Sequence, residues 1–266
     1  MLTYPDFDPV LFSLGPLKIR WYGLMYLVGF VGGWWLLVRD ARRRKLAWTE
    51  DQVSDLVFYA AMGVVLGGRV GYILFYNFEA FLDDPLLLLR VWEGGMSFHG
   101  GLLGVLVAMW LYGRRQRRGF FELTDFLAPV VPIGLGAGRL GNFINGELWG
   151  KPSELPWAFT VGGQGRLPTQ LYEFALEGLL LFTLLRLFTR QRRPLMATSG
   201  LFAILYGSFR CFVELWRVPD AQLGYLYGGW LTMGMLLSLP LIAIGAVLLL
   251  LARRAPQQPQ PAAGSA

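Results

Sequence analysis

The sequence predicts an all-α polytopic membrane protein with about seven transmembrane helices. Three observations lead there. Of the 266 residues, 55% are apolar and only 16% charged, where a soluble domain normally carries about a quarter charged. The apolar residues gather into runs long enough to cross about 30 Å of hydrocarbon. Basic residues cluster at every second connection between those runs, the arrangement that orients a multi-span chain.

The predicted spans lie near Trp21–Val38, Leu56–Tyr76, Ser97–Tyr112, Asp125–Phe143, Thr169–Phe188, Leu201–Trp216 and Gly229–Leu251. The third and sixth are short for a full crossing. Four basic clusters follow spans one, three, five and seven. They are Arg39 with Arg42–Lys45; Arg114, Arg115, Arg117 and Arg118; Arg190, Arg192 and Arg193; and Arg253 with Arg254. Fourteen of the 24 basic residues are thereby accounted for, and the positive-inside rule puts all four clusters in the cytoplasm with the N-terminus outside. This placement also argues against nucleic acid as the reason for the net charge of +6.

Residues 1–254 read as a single integral membrane domain, and 255–266, rich in Pro, Gln and Ala, as a disordered cytoplasmic tail. The first apolar run has its positive charge on the C-terminal side, the reverse of a secretory leader, so no cleavable signal is expected. Phe7, Pro9, Leu11 and Phe12 are expected along the outer interface, as is the loop Leu86–Trp92 with Arg90. One cysteine, Cys211, and one histidine, His99, leave no intrachain disulfide and no multi-histidine or cysteine metal site. No cofactor is expected.

Arg69, Arg139 and Arg210 are not explained by topology. Each sits within or at the outer edge of an apolar span. A charge at a span's centre costs roughly 2.5–3.5 kcal/mol on insertion scales, so each needs a partner or a purpose. Glycines surround Arg69 (Gly67, Gly68, Gly71) and Arg139 (Gly134, Gly136, Gly138, Gly141). They either let helices pack closely or leave room for a ligand. Asn142, three residues beyond Arg139, shares its helical face, and Asn145, Gly146 and Glu147 follow at the expected helix end. Arginine suits phosphate because its planar fork donates two bonds and stays charged; the plainer reading is a polar helix end capped in water. Arg210 lies between Tyr206 and Glu214 at helical spacing, either as a structural ion pair or as a second phosphate-binding arginine. His99 is one of few groups able to move protons near neutral pH, although a lone histidine more often serves structure. Tyr22, Tyr26, Trp149 and Trp157 suit an aromatic belt. These arginines point to the handling of an anionic lipid.

The run GRLGNFINGELWG at Gly138–Gly150 resembles the signature of the bacterial prolipoprotein diacylglyceryl transferase family. So do WYGLMY (Trp21–Tyr26), GGRVGYILFYN (Gly67–Asn77), GGMSFHGG (Gly94–Gly101), PTQLYE (Pro168–Glu173) and YGSFRCFVE (Tyr206–Glu214), in order along nearly the whole chain. The resemblance implies a seven-span inner-membrane enzyme with a small periplasmic head. It implies transfer of the diacylglyceryl group of phosphatidylglycerol to the lipobox cysteine of a preprolipoprotein signal peptide, giving a thioether and glycerol phosphate. Arg139 matches the family's phosphatidylglycerol-binding arginine and Arg210 its second essential arginine. His99, Tyr22, Asn142, Glu147, Gly150, Tyr206 and Glu214 match positions in or beside its site. One departure stands out: the family often reads Arg-His-Pro where this chain has Arg166-Leu167-Pro168, so no proton transfer can be carried over to that position.

On these residues, Arg139 and Arg210 would hold the lipid phosphate, His99 or Glu147 would take the thiol proton, and Tyr22 and Asn142 would orient the headgroup. The nucleophile would be the substrate's cysteine, not Cys211. Two other classes share some features. A solute transporter also uses intramembrane arginines and glycine-broken helices, but no inverted repeat is found. A non-catalytic lipid scaffold would not need histidine and carboxylates beside the arginines.

Overall fold

The computed structural model describes residues 1–5, 7–15, 17–91, 94–219 and 224–256; the side chains of Leu14, Leu17 and Phe98 lie outside the description, as do Trp92 and the tail from residue 257. The chain opens with β1 (Leu2–Thr3) and the hairpin β2 (Val10–Leu14) and β3 (Leu17–Arg20). There follow α1 (Trp21–Arg43), α2 (Glu50–Tyr76), α3 (Phe78–Asp83), a 3₁₀ turn over Pro85–Leu89, α4 (Phe98–Gln116), α5 (Phe120–Leu127) and α6 (Val131–Ile144). Then come β4 (Phe159–Val161), β5 (Gln164–Arg166), α7 (Thr169–Glu173), a π-helical stretch Phe174–Leu180, α8 (Leu181–Phe188), α9 (Ala197–Glu214) and α10 (Met233–Ala252).

Helices therefore occupy all seven segments expected to be apolar. Among the described residues, three are long and apolar enough to cross a membrane: α1, α2 and α10. The pair α5 and α6 makes a fourth if counted as one span bent by 51°. The single span expected over Asp125–Phe143 is thus two helices. The break falls at 128–130 and contains Pro129, which has no N–H for the helical ladder, and Pro132 sits in the first turn of α6, where proline is tolerated. The last helix starts at Met233, not Gly229. Gly228 and Gly229 have φ of 58° and 69°, and the Thr232 hydroxyl caps the helix by accepting from Met235 N at 3.2 Å.

The all-α expectation also needs correction: two small sheets are present. One is the β2–β3 hairpin; the other has the order β1-β4-β5, with β1 parallel and β5 antiparallel to β4. Gly162 and Gly163, with φ of 58° and 80°, form the β4–β5 turn. Strands of two to five residues lack the alternation that would mark them in a sequence.

Two compact units are distinguished: described residues up to Leu36 and from Asp125 onward form the first, and Leu37–Thr124 the second. In the second, Thr49 and Gln52 exchange capping-box hydrogen bonds, each 3.2 Å, which start α2. Gly63, Gly67 and Gly71 on α2 meet Gly100 and Gly104 on α4. A Cβ on Gly63 would lie 2.7 Å from Gly104 O, and one on Gly71 2.7 Å from Gly100 Cα. Backbones this close require small residues, so these glycines are a packing seam. Arg69 is buried, and its guanidinium donates to the carbonyls of Gly94 and Leu87, with Gly95 O at 3.3 Å. Arg69 therefore holds the segment that leads into α4.

In the first unit, α9 packs on α10 through Gly200, Gly207 and Gly245; a Cβ on Gly207 would lie 2.7 Å from Ile242 Cγ1. The start of α9 is fixed by Asp125, whose carboxylate accepts from Met196 N and Ser199 N at 2.7 Å and from Ser199 Oγ at 2.6 Å. These bonds hold Met196 at φ 73°, a conformation a bulky residue adopts only under constraint. Glu173, Glu177, Gln170 and Thr198 are fully buried, while Leu27, Leu179 and Val247 are exposed. Polar interior with apolar exterior is how a bundle surrounded by lipid is arranged.

Candidate functional site

The site is built within the first unit, around α6, the α7–π–α8 helix and α9. Gly136 and Gly178 let α6 and the π-helical stretch touch: a Cβ on either glycine would come within about 3 Å of the other's Cα (3.1 and 2.9 Å). That approach sets Arg139 of α6 against two carboxylates. Its Nη1 is 3.3 Å from Glu173 Oε2, and its Nε and Nη2 are 3.4 and 3.3 Å from Glu177 Oε2. Both carboxylates are fully buried.

Arg210 of α9 reaches the same Glu173 through the other oxygen, Oε1, and pairs its Nη2 with Glu214 one turn on. Arg217, just past α9, places Nη1 3.4 Å from Glu173 Oε1 and Nε 3.1 Å from Glu214 Oε1. Glu214 also accepts from Thr232 Oγ1 at 2.7 Å and packs against Gly234, where a Cβ would meet its carboxyl carbon at 2.7 Å. Three guanidiniums and three carboxylates thus form one buried network whose charges cancel. Burial lowers the pKa of Arg217, helped by the nearby positive charge of Arg210. Tyr206 stacks parallel on Phe202 at 5.8 Å, with its phenol in the field of Glu177, Arg139 and Arg210.

An arginine has five N–H donors. Arg139 donates two of them to Glu177 Oε2, while its Nη1 pairs with Glu173 Oε2 at 3.3 Å without a hydrogen bond. The N–H groups that Glu177 does not take can donate to the oxygens of an anion.

Beyond α6 the chain turns sharply. Gly146 and Leu148 both have left-handed backbones, φ 68° and 59°. Leu148 is held there by Thr169 Oγ1, which donates to its carbonyl at 2.8 Å. Gly150 N donates to Leu167 O and Lys151 N to Trp216 O, each at 2.8 Å. Gly150 has no room for a side chain, since a Cβ would lie 2.8 Å from Trp216 O and 2.9 Å from Leu167 O. The turn presents Glu147, whose oxygens accept from Asn142 Nδ2 and Asn145 Nδ2 at 3.2 Å each. Gln170 Nε2 donates to Glu147 O. The strained turn, over-determined by its neighbours, fixes the Glu147 carboxylate in place. Beside it lies an open cavity of about 340 Å³ lined by Tyr4, Phe7, Asn145, Trp149 and the β4–β5 turn.

Of the expected site residues, Arg139, Arg210 and Glu214 share the network, Tyr206 lies in its field, and Asn142, Glu147 and Gly150 form the adjoining turn. Tyr22 packs its ring on Gly141, where a Cβ would meet Tyr22 Cδ2 at 2.8 Å. His99, exposed in the first turn of α4, belongs to the second unit. Leu167 is buried and serves Gly150 through its backbone.

Sequence reasoning missed Glu173, Glu177 and Arg217 as members. Glu173 lay in a recognised motif without a role, and Arg217 follows Glu214 by one turn. The signal was there: two carboxylates four residues apart inside an apolar span call for cationic partners as strongly as the arginines call for anions.

Comparison with known proteins gives a consistent result. A family model described as prolipoprotein diacylglyceryl transferase matches residues 9–251. A phosphatidylglycerol–prolipoprotein diacylglyceryl transferase of Ectopseudomonas mendocina (strain ymp) is 59% identical over 263 residues, covering 97% of this chain and 99% of the relative. A protein of the same name from Azotobacter vinelandii (strain DJ / ATCC BAA-1303) is 60% identical over 250 residues, covering 92% of this chain and 94% of its own length.

Proposed function

This chain belongs to the prolipoprotein diacylglyceryl transferase family, and we propose that it transfers the diacylglyceryl group of phosphatidylglycerol to the lipobox cysteine of preprolipoproteins. The sulfur–carbon bond forms as the bond from the glyceryl carbon to the phosphate oxygen breaks. The electron pair of that bond stays on the departing glycerol phosphate, and the thiol proton passes to a base.

One observation carries the site assignment: Arg139 and Arg210, from different helices, meet on the two oxygens of the single carboxylate Glu173. Two guanidiniums close enough to share one anion are close enough to hold one phosphodiester. Held in a water-poor site, they stabilise the charge that grows on the phosphate as the bond breaks. Their field also favours the thiolate over the thiol. Either Glu147, fixed by Asn142 and Asn145, or His99 takes the thiol proton. Tyr22, Asn142, Gly150 and Tyr206 shape the headgroup site.

The seven-span reading, with the N-terminus and a small head periplasmic and the C-terminus cytoplasmic in a bacterial inner membrane, is supported by the alternation of basic clusters. Residues 1–254 act as one membrane domain, and 255–266 as its tail. No metal or organic cofactor is required by this chemistry. The test is to incubate the purified protein with phosphatidylglycerol and a lipobox peptide and weigh the peptide. A diacylglyceryl mass gain that requires both lipid and peptide thiol supports the assignment; an unchanged mass rejects it.

A further inference from the structure

The network of Arg139, Arg210, Arg217, Glu173, Glu177 and Glu214 is neutral when every member is ionised. A phosphodiester adds one negative charge to a buried site, and an uncompensated buried charge is too costly to leave standing. Three remedies exist: another cation, loss of a carboxylate, or a proton. Among the described residues the network holds no further cation. Glu214 is engaged by two arginines and Thr232, and Glu173 by all three arginines, so that Glu173 keeps Arg210 and Arg217 on Oε1 even if Arg139 turns away, although its Oε2 has no hydrogen-bond partner. Glu177 differs. Only Oε2 meets a cation, Arg139, while Oε1 is buried with no hydrogen-bond partner. An acceptor without a donor, in a fully buried group, is a place for a proton.

We propose that Glu177 takes up one proton when phosphatidylglycerol binds, so that lipid capture is coupled to protonation at this carboxyl. The inference rests on the lipid-transferase reading above and deepens it. The groups facing Glu177 are Arg139 on α6, Glu173 at the end of α7, and Tyr206 and Arg210 on α9. As the phosphate draws Arg139 to itself, the attraction that kept Glu177 ionised weakens, and Glu173 and the phosphate both repel a second anion. The carboxyl then holds a proton until glycerol phosphate leaves.

The sign follows from linkage. Binding that raises a carboxyl's affinity for a proton is strongest at low pH and weakens as pH rises. Calorimetric titration of the purified full chain with phosphatidylglycerol in detergent, repeated in buffers of different ionisation enthalpy, counts the protons. The wild type takes up about one proton per lipid, with affinity falling about tenfold per pH unit through the coupled window. Glu177→Gln binds with no uptake and a flat pH dependence. Should Glu177→Gln fail to fold, Glu177→Asp keeps a carboxyl further from Arg139 and shifts the window along the pH axis. Wild-type binding without uptake, uptake that survives in Glu177→Gln, or an unshifted window in Glu177→Asp overturns the proposal. No binding of the lipid by the wild type at any pH would instead overturn the lipid reading, and this inference with it.

Discussion

Replacing Arg139 separates chemistry from architecture, because its two neighbours respond differently to two substitutions. Arg139→Lys keeps one positive charge against Glu173 and Glu177, both fully buried, so the network stays neutral and the protein folds. What is lost is geometry. Lysine is a point charge and cannot present the two-pronged fork that the phosphate needs. Removing a preorganised donor of this kind lowers turnover by about 10²–10³, equivalent to roughly 2.7–4 kcal/mol of barrier. Arg139→Ala leaves two buried carboxylates without that partner, and breaking such a pair costs about 3–5 kcal/mol of stability. The double variant Arg139→Ala/Glu177→Gln removes one stranded charge. It regains part of the stability and none of the activity. The assay is peptide mass gain with phosphatidylglycerol vesicles, alongside thermal unfolding of each variant. Arg139→Lys working within about threefold of the wild type would refute the reasoning, since the loss expected from P-oxygen recognition is at least tenfold larger.

Three further outcomes are expected. Asp125→Ala, which removes three hydrogen bonds of 2.6–2.7 Å at the start of α9, costs about 2–3 kcal/mol in thermal or denaturant unfolding; a loss below the error of the measurement would show that α9 starts without it. Gly150→Ala sets a Cβ 2.8–2.9 Å from two backbone carbonyls, and the forced shift costs about 1–3 kcal/mol while displacing Glu147. Activity and stability should fall together, and wild-type values for both would mean the turn has room to give. His99→Gln slows transfer by about 10²-fold and alters the pH–rate profile if the imidazole accepts the proton; an unchanged profile removes His99 from that step and leaves Glu147 to perform it.

The local features of the chain were legible one residue at a time. Leu, Val and Phe runs gave seven helical segments, because lipid demands apolar surface and internally bonded backbone. Glu214, four residues after Arg210, could be read as its partner because helical spacing alone brings them together. The break at Pro129 was also written in the sequence, since proline cannot continue the hydrogen-bond ladder, although it was read as a continuous span. The short strands left too few residues for a period.

By itself, then, the sequence determined which stretches are helical, which charges lie where water is scarce, and which family the motifs match. Only the tertiary structure decided which charges answer each other. Arg139 meets Glu173 and Glu177 from 34 and 38 positions away because Gly136 and Gly178 let two helices touch, while Arg69, much alike in its sequence setting, binds backbone carbonyls. The physical reason is that a buried ion is stabilised by whatever lies within a few ångströms, and proximity across helices is set by packing, which no local pattern records.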